Sequence, residues 1–337
     1  MRPRSPRCKG HSRAGDESSP CLKFDFPGLP VGVAEYPNGP TGVTVFHFPE
    51  RIFAEVDTRG GAPGSSLTRA LEASFGRYVS AIVFTGGSVY GLEAASGVAA
   101  ALLDSGIASR QWGEVAVVPA AVVFDFKGRN NNIHPDRELG RAALKAARQS
   151  SFPLGARGAG AFVHCGSYFG ERFIERSGQG AAFLDLGKTR LAVFTVVNAR
   201  GVIVDREGRV ILGNRDPCTG LRSSVATALG SGRQSDNQDR LNSGLTDSTT
   251  VTLVITNRAL DRTQLHRLAI QTHTSMARAI QPFHTSRDGD TLFAATTAAC
   301  EANEPSIADL SVYASELAWD AVLNSVPRSA VVTDQRG

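Results

Sequence analysis

No run of about 18 apolar residues occurs anywhere in the chain, so the sequence offers no membrane-spanning helix. The first twenty residues, MRPRSPRCKGHSRAGDESSP, contain no apolar core segment, which removes a secretory signal. Their Pro, Ser and Arg content reads as a disordered basic tail over residues 1–21. An Arg- and Ser-rich segment also suits a transit peptide, but Asp16 and Glu17 count against one. The cysteines, Cys8, Cys21, Cys165, Cys218 and Cys300, are odd in number, scattered and never spaced C-x-x-C. That excludes a disulfide framework and a structural zinc site and leaves the cytoplasm as the expected compartment. Charge of one sign is also scarce: the formal net charge is +4, and Arg2, Arg4, Arg7, Lys9 and Arg13 against Asp16 and Glu17 supply three of those four charges. No basic stripe carries interleaved aromatics, so a nucleic acid is not an expected partner.

Several motifs are missing as well. GARGAG (155–160) has its glycines in the wrong order for G-x-G-x-x-G. LGKTR (186–190) contains the G-K-T of a phosphate loop, but Ala182 stands where the first Gly belongs. GGSVYG (86–91) is not G-x-S-x-G, so the hydrolase nucleophile elbow is missing. There is no H-E-x-x-H. His266 and His273 lie seven apart on a predicted helix, without the carboxylate pattern that a metal site needs. Neither a metal nor a cofactor is expected.

What is present is an ordinary globular composition, 42% hydrophobic and 20% charged, over 337 residues. Such a chain is long enough to bury a sizeable core. Apolar runs bounded by Gly and Pro predict strands at 31–36, 41–48, 52–58, 80–85, 115–126, 189–197, 201–205, 209–212, 249–257 and 290–297. Helical spacing appears at 89–105, 137–148, 261–280 and 307–325. In 261–280, Asp261 is the expected N-cap, with Leu265, Leu268, Ala269, Thr272, Met276 and Ala279 on one face. Strands and helices do not alternate strictly, which argues for packed sheets covered by helices in an α/β protein. No internal repeat is visible. Residues 229–248, LGSGRQSDNQDRLNSGLTDS, read as a long exposed loop that runs abruptly into TTVTLVITN.

Two segments could carry chemistry. A Thr hydroxyl is a poor nucleophile until a base removes its proton. If Thr249 became the first residue of a chain, its own α-amine, with a pKa of about 7.7–8.0, would supply that base. This needs cleavage before Thr249, at the junction of a loop and a strand. The plainer interpretation is that Thr-Thr-Val starts a strand because β-branched residues favour strands. The second segment is IQPFHTSRDGDTLFAATT (280–297), where Asp288 and Asp290 flank Gly289. Two carboxylates this close could orient a hydroxyl and hold an ammonium; a simple Asp-Gly turn is the plainer alternative.

Together these segments carry a resemblance. Over roughly residues 22–327 the chain resembles the self-processing aminopeptidase family that includes D-aminopeptidase/amidases, β-peptidyl aminopeptidases and endo-type nylon-oligomer hydrolases. It is most similar to the last of these. The resemblance rests on LKFDFPG (22–28), GPTGVTVFHFP (39–49), VDTRGGAPG (56–64), YGLEAASGVAAALL (90–103), PDRELGRAALKAA (135–147), SGQGAAF (177–183), GVIVD (201–205), TTVTLVITN and IQPFHTSRDGDTLFAATT. It implies a layered αββα fold of N-terminal-nucleophile type. It also implies one catalytic domain over 22–337, autocleaved between Ser248 and Thr249 into subunits 1–248 and 249–337. Thr249 is then the nucleophile. Asp288 and Asp290 position it and assist cleavage. Asn198, in TVVNARG, stabilises the oxyanion, a role that a side-chain amide can perform; taken alone, it could equally be a turn residue at a strand end. The implied substrates are linear 6-aminohexanoate oligomers cut internally, or related amides and peptides. The implied assembly is a tetramer of processed units.

Three departures bear on this. Ser248 stands where the family usually has Asn before the scissile bond. HCGSYFGERF (164–173) lacks the Lys of the nylon-oligomer hydrolases, with Tyr168 near that position and Arg172 as its expected stand-in. Phe124, in VVFDF, stands where those hydrolases have Tyr. Phe124 and Tyr168 are accordingly the expected substrate contacts. The alternatives are an aminopeptidase acting on β- or D-amino-acid peptides, an acyltransferase resembling ornithine acetyltransferase, and a non-catalytic relative that binds without processing.

Overall fold

A computed structural model of the chain describes residues 20–72, 78–235, 248–302 and 304–327. Its longer elements, in chain order, are β1 (Cys21–Lys23), β2 (Val31–Tyr36), β3 (Thr41–Thr58), β4 (Tyr78–Thr85), α1 (Glu93–Asp104), β5 (Ala120–Val122), α2 (Arg137–Lys145), β6 (Gln179–Leu186), β7 (Thr189–Asn198), β8 (Thr249–Arg258), α3 (Arg262–Ser275), β9 (Thr291–Cys300) and α4 (Ile307–Leu323).

The two apolar runs predicted at 41–48 and 52–58 are one strand, β3, bent in the middle. Pro49 cannot donate to a ladder, Arg51 takes a φ of +31°, and the pairing with β4 slips between His47 and Ile52. The first half of β3 pairs with β2 and β4, and the second half with β9. One continuous hydrogen-bonded path, β6-β7-β8-β9-β3-β4-β5, therefore folds into two layers. Side-chain alternation sorts the faces. Phe46 and Phe84 of one layer meet Phe194 and Phe293 of the other, with ring centroids 5.1 Å apart for Phe46–Phe194 and 6.3 Å for Phe84–Phe293. The opposite faces are covered by helices. Val43, Val45, Ala81 and Val83 pack with Ala94, Val98, Leu139 and Ala143 of α1 and α2. Leu191, Val193, Val254 and Leu292 pack with Leu265, Leu268, Ala314 and Ala318 of α3 and α4. The result is the αββα order expected above.

Residues 179–186 are absent from the predicted strands because QGAAFLDL is rich in Gly and Ala, which have little strand preference of their own. Packing explains the composition. A Cβ at Gly180 would lie 2.0 Å from the Ala321 carbonyl oxygen, so α4 rests directly on the β6 backbone. Other boundaries also moved. Only Ala120–Val122 of the expected strand 115–126 is paired. The helix expected at 89–105 opens with a 3₁₀ turn at Ser88–Leu92. Asp261 caps α3 as expected, in a reciprocal capping box with Gln264. LGKTR forms the hairpin turn between β6 and β7, where Gly187 has φ +81°.

Two expectations about segment ends need correction. Cys21 belongs to β1, which pairs with Ser151–Pro153, so the tail ends before it; residues 1–19 lie outside the described residues. The long loop is shorter than 229–248. Leu229 and Gly230 close a short helix, Val225–Gly230, and Ser248 is fully buried because it extends the β8 ladder; residues 236–247 lie outside the described residues. Among the described residues, no helix is long and apolar enough to cross a membrane.

The inter-layer aromatics predict a large core effect. Phe194 is fully buried and touches Phe24, Phe46 and Phe152. Phe194→Ala should cost about 3–5 kcal/mol and lower Tm by roughly 6–15 °C in calorimetry. Val312→Ala, on the 55% exposed side of α4, should leave Tm within about 2 °C.

Candidate active site

The site forms where β8 begins. TTVTLVITN is β-branched at seven of its first eight positions, and all ten residues of β8 are buried between two neighbours. β7 runs antiparallel to it and β9 parallel. The antiparallel register sets Asn198, the last residue of β7, directly opposite Thr249, the first of β8. Cross-strand partners project from the same face, so these two side chains are neighbours. On the other side the parallel ladder continues one residue further back, as a bridge between Ser248 and Asp288.

Backbone pairing thus pins the Ser248–Thr249 peptide from both sides. The Ser248 carbonyl oxygen accepts the Gly289 N–H at 2.9 Å and the Thr249 hydroxyl at 2.7 Å. The Ser248 hydroxyl lies 3.2 Å from the buried Ser167 hydroxyl. Thr249 and Ser248 are both fully buried.

Asp288 and Asp290 sit beside this peptide, both buried. Asp290 Oδ1 accepts the Thr250 N–H at 2.7 Å, and Asp290 Oδ2 faces the His284 backbone N–H and Nδ1, each at 3.1 Å. Asp288 Oδ2 accepts the Thr285 N–H at 2.8 Å, while Asp288 Oδ1 has no hydrogen-bond partner among the described residues. Burial and the nearby Asp290 charge push the Asp288 carboxyl up to about 7, against the pull of its Thr285 hydrogen bonds and of Arg200. At that value the Asp288 carboxyl is partly protonated near neutrality.

The stretch VDTRGGAPG now has a structural purpose. Arg59 and Gly60 donate backbone N–H groups to the Asp290 carbonyl, and Ala62 donates to that of Asp288. A Cβ on Gly60 would lie 2.3 Å from the Asp288 oxygen and the Asp290 nitrogen, so only glycine lets the two loops approach this closely. Sequence reasoning singled out neither Gly60 nor Gly61 for a role, nor Ser167 or His284.

The remaining expected residues divide. Asn198 donates an amide N–H to the Phe124 carbonyl at 3.1 Å and accepts the His164 N–H at 3.3 Å. Phe124 is half-buried, its ring 5.6 Å from Phe126. Tyr168 is half-buried beneath the Arg200 guanidinium, 5.1 Å from its ring centroid. Arg172, the expected stand-in cation, is exposed with its guanidinium over Phe173 at 4.7 Å, because Gly170 (φ +101°) turns the chain outward there. Arg200, two residues past Asn198 and 5% exposed, is the cation that acts on Asp288. His266 and His273 are drawn to different carboxylates of β3, at 3.8 Å from Glu55 and 2.9 Å from Asp57.

Residues 24–337 match peptidase family S58. The chain belongs to that family. It is therefore a hydrolase of amide bonds. The 6-aminohexanoate-oligomer endohydrolase of Paenarthrobacter ureafaciens is 40% identical over 316 residues, covering 90% of this chain and 85% of the relative. Among solved structures, a Burkholderia sp. beta-aminopeptidase aligns with a TM-score of 0.63 at 20% identity, covering 91% of this chain and 87% of that one. The L-aminopeptidase D-Ala-esterase/amidase of Ochrobactrum anthropi, described as a variant of the Ntn hydrolase fold, gives 0.63 at 17% identity, over 88% and 83%. At these identities the two structures establish the shared fold.

The raised Asp288 value has a stability consequence. A carboxyl at about 7 in the folded chain and at 3.8 ordinarily keeps its proton more tightly when folded. Stability therefore falls as pH rises from about 4 to about 7. Asp288→Asn keeps an acceptor for Thr285 without the charge. Compared in Thr249→Ala chains, so that both remain continuous, it should stabilise by about 1–3 kcal/mol at pH 8 and by little at pH 4. Parallel Tm-versus-pH curves for the two chains would refute the shift.

Proposed function

We propose that the chain cuts itself between Ser248 and Thr249 and that Thr249, as the new N-terminal residue, then hydrolyses amide bonds. The observation that carries this is the Ser248 carbonyl, which meets the Thr249 hydroxyl at 2.7 Å and the Gly289 N–H at 2.9 Å. In self-cleavage the Thr249 Oγ1 bonds to the Ser248 carbonyl carbon, and negative charge develops on an oxygen already facing the Gly289 N–H. The C–N bond then breaks, and the hydroxyl proton passes to the departing amine. Asp288, pushed to about 7 and so partly ionised near neutrality, with one oxygen lacking a hydrogen-bond partner among the described residues, is suited to accept that proton and pass it to the amine. The α-amine of Thr249 is free once the C–N bond has broken; water then hydrolyses the resulting ester, releasing the Ser248 carboxylate and restoring the Thr249 hydroxyl.

In turnover that amine is the base for its own hydroxyl. An Asn amide has two N–H donors. One of Asn198's is engaged by Phe124, and the second serves the substrate oxyanion. Water resolves the acyl-enzyme. Phe124 and Tyr168 form apolar walls suited to a methylene chain. With the similarity to 6-aminohexanoate-oligomer endohydrolases, they support linear ω-amino-acid oligomers, cut internally, as the substrate class. The processed halves associate further, as a tetramer, in the cytoplasm.

Intact-mass analysis and N-terminal sequencing of purified protein should find two fragments, the smaller beginning at Thr249. Thr249→Ala should remain one chain, and catalytically active but uncut wild type would overturn the mechanism. On 6-aminohexanoate oligomers, early products of mixed length mark internal cleavage, whereas monomer release alone marks an aminopeptidase. Asn198→Ala should lower kcat roughly 100–1000-fold with little change in KM.

A further inference from the structure

His284 lies outside the roles assigned so far, yet it is among the most constrained residues near the site. Its backbone takes φ +58°, a left-handed conformation costly for a residue with a side chain. That conformation turns its N–H onto Asp290 Oδ2 at 3.1 Å, and its ring Nδ1 reaches the same oxygen at 3.1 Å. Two contacts from one residue thus converge on one carboxylate oxygen, while the other oxygen holds the Thr250 N–H at 2.7 Å. Thr250 directly follows the candidate nucleophile.

A second layer backs the ring. His273 of α3, 1% exposed, stands 4.3 Å from His284 between ring centroids and nearly perpendicular to it, at 80°. Its Nδ1 faces Asp57 Oδ2 at 2.9 Å, and Asp57 is also held by Arg59 at 2.6 Å. Burial pushes Asp57 up, but the hydrogen bonds from His273 and Arg59 overcome it and leave Asp57 below its ordinary value. Burial keeps His273 below its ordinary value too. His284 Nε2 is buried without a hydrogen-bond partner among the described residues. An unpartnered lone pair there costs less than an unpartnered N–H, so the ring carries its proton on Nδ1 and donates to Asp290.

We propose that His284 is a positioning residue for self-cleavage, which through its backbone N–H and its ring Nδ1–H fixes the orientation of the Asp290 carboxylate beside the Ser248–Thr249 peptide, with His273 and Asp57 holding the ring in place. The proposal rests on the assignment of Thr249 as nucleophile. Its consequence is a division of labour. Asp290, hydrogen-bonded at both oxygens, anchors the start of β8. The mobile proton is left to Asp288. The charged and titratable groups around His284 are Asp288 and Asp290 of its own loop, His273 of α3, and Asp57 with Arg59 at the end of β3; Arg200 acts on Asp288 from the turn after β7. None of these but His284 donates a side-chain hydrogen bond to Asp290 among the described residues.

Two substitutions separate donor from backbone. His284→Asn retains a short amide donor and tolerates positive φ, whereas His284→Gly relieves the backbone and removes the donor. Self-cleavage is followed in a cell-free translation pulse-chase from pH 5 to pH 9. His284→Asn should be cut within about 5-fold of the wild-type rate with the same pH profile. His284→Gly should be cut about 30-fold or more slowly across that range, a loss that the amide donor of His284→Asn largely rescues. Melting of the same substitutions in Thr249→Ala chains reports folding separately. A His284→Gly chain cut at the wild-type rate, or a His284→Asn chain cut as slowly as His284→Gly, overturns the role of His284. Wild type that is not cut before Thr249 overturns the underlying nucleophile assignment instead.

Discussion

Strand β8 enters the sheet between one neighbour that runs against it and one that runs with it. That pairing holds the Ser248–Thr249 peptide in place. The antiparallel register with β7 delivers Asn198 opposite Thr249. The parallel register with β9 delivers Asp288, Gly289 and Asp290 alongside the preceding residue. A parallel neighbour matters because its start lies at the same end of the sheet as the start of β8. The loop before β9 therefore packs on the entry to β8, at the end of the sheet where β7 terminates. Had β9 been antiparallel, its acidic loop would lie at the far end of the strand.

The loop before β9 cannot hold its shape alone, since it buries two carboxylates one residue apart. Its stability comes from the groups packed around it. Backbone N–H groups of Arg59, Gly60 and Ala62 cap its carbonyls, His284 and Thr285 donate to its carboxylates, and Arg200 offsets the charge from the side of β7. Arg59, Gly60 and Ala62 follow the end of β3, Arg200 follows the end of β7, and His284 and Thr285 belong to the loop itself. The strand order that builds the αββα core is therefore the same feature that surrounds the Ser248–Thr249 peptide with donors. The hydrophobic contacts between Phe46, Phe84, Phe194 and Phe293 stabilise the arrangement at a distance by keeping the layers in register.

Much of the fold was legible in the chain. Period-2 apolar runs located β2, both halves of β3, β4, β7, β8 and β9, and helical spacing located α1 to α4, including the Asp261 cap. The segments that escaped did so for tertiary reasons. β6 is built of Gly and Ala because α4 lies against its backbone at Gly180, and that contact exists only after both have folded. The expected strand 115–126 is apolar because it is buried, although only Ala120–Val122 finds a strand partner. In the site, Thr249, Asp288 and Asp290 were visible as residues able to do chemistry, but not as neighbours. Arg172 stands closer in sequence to Tyr168 than Arg200 does, yet it is Arg200 that lies over the Tyr168 ring. The glycine at 170 reverses that advantage by turning Arg172 outward.

By itself the sequence determined the class of the protein, the residue with a hydroxyl at the head of a buried strand, and the acidic pair before another strand. These follow from local preference and from motifs that are contiguous in the chain. Only the tertiary structure decided which groups face the Ser248 carbonyl, which carboxylate is left with the labile proton, and which cation and which histidine serve the pair. Those depend on strand register and burial. Both are set by contacts between segments far apart in the chain, as from Asn198 to Thr249 and from Arg59 to Asp290, and no local pattern encodes them.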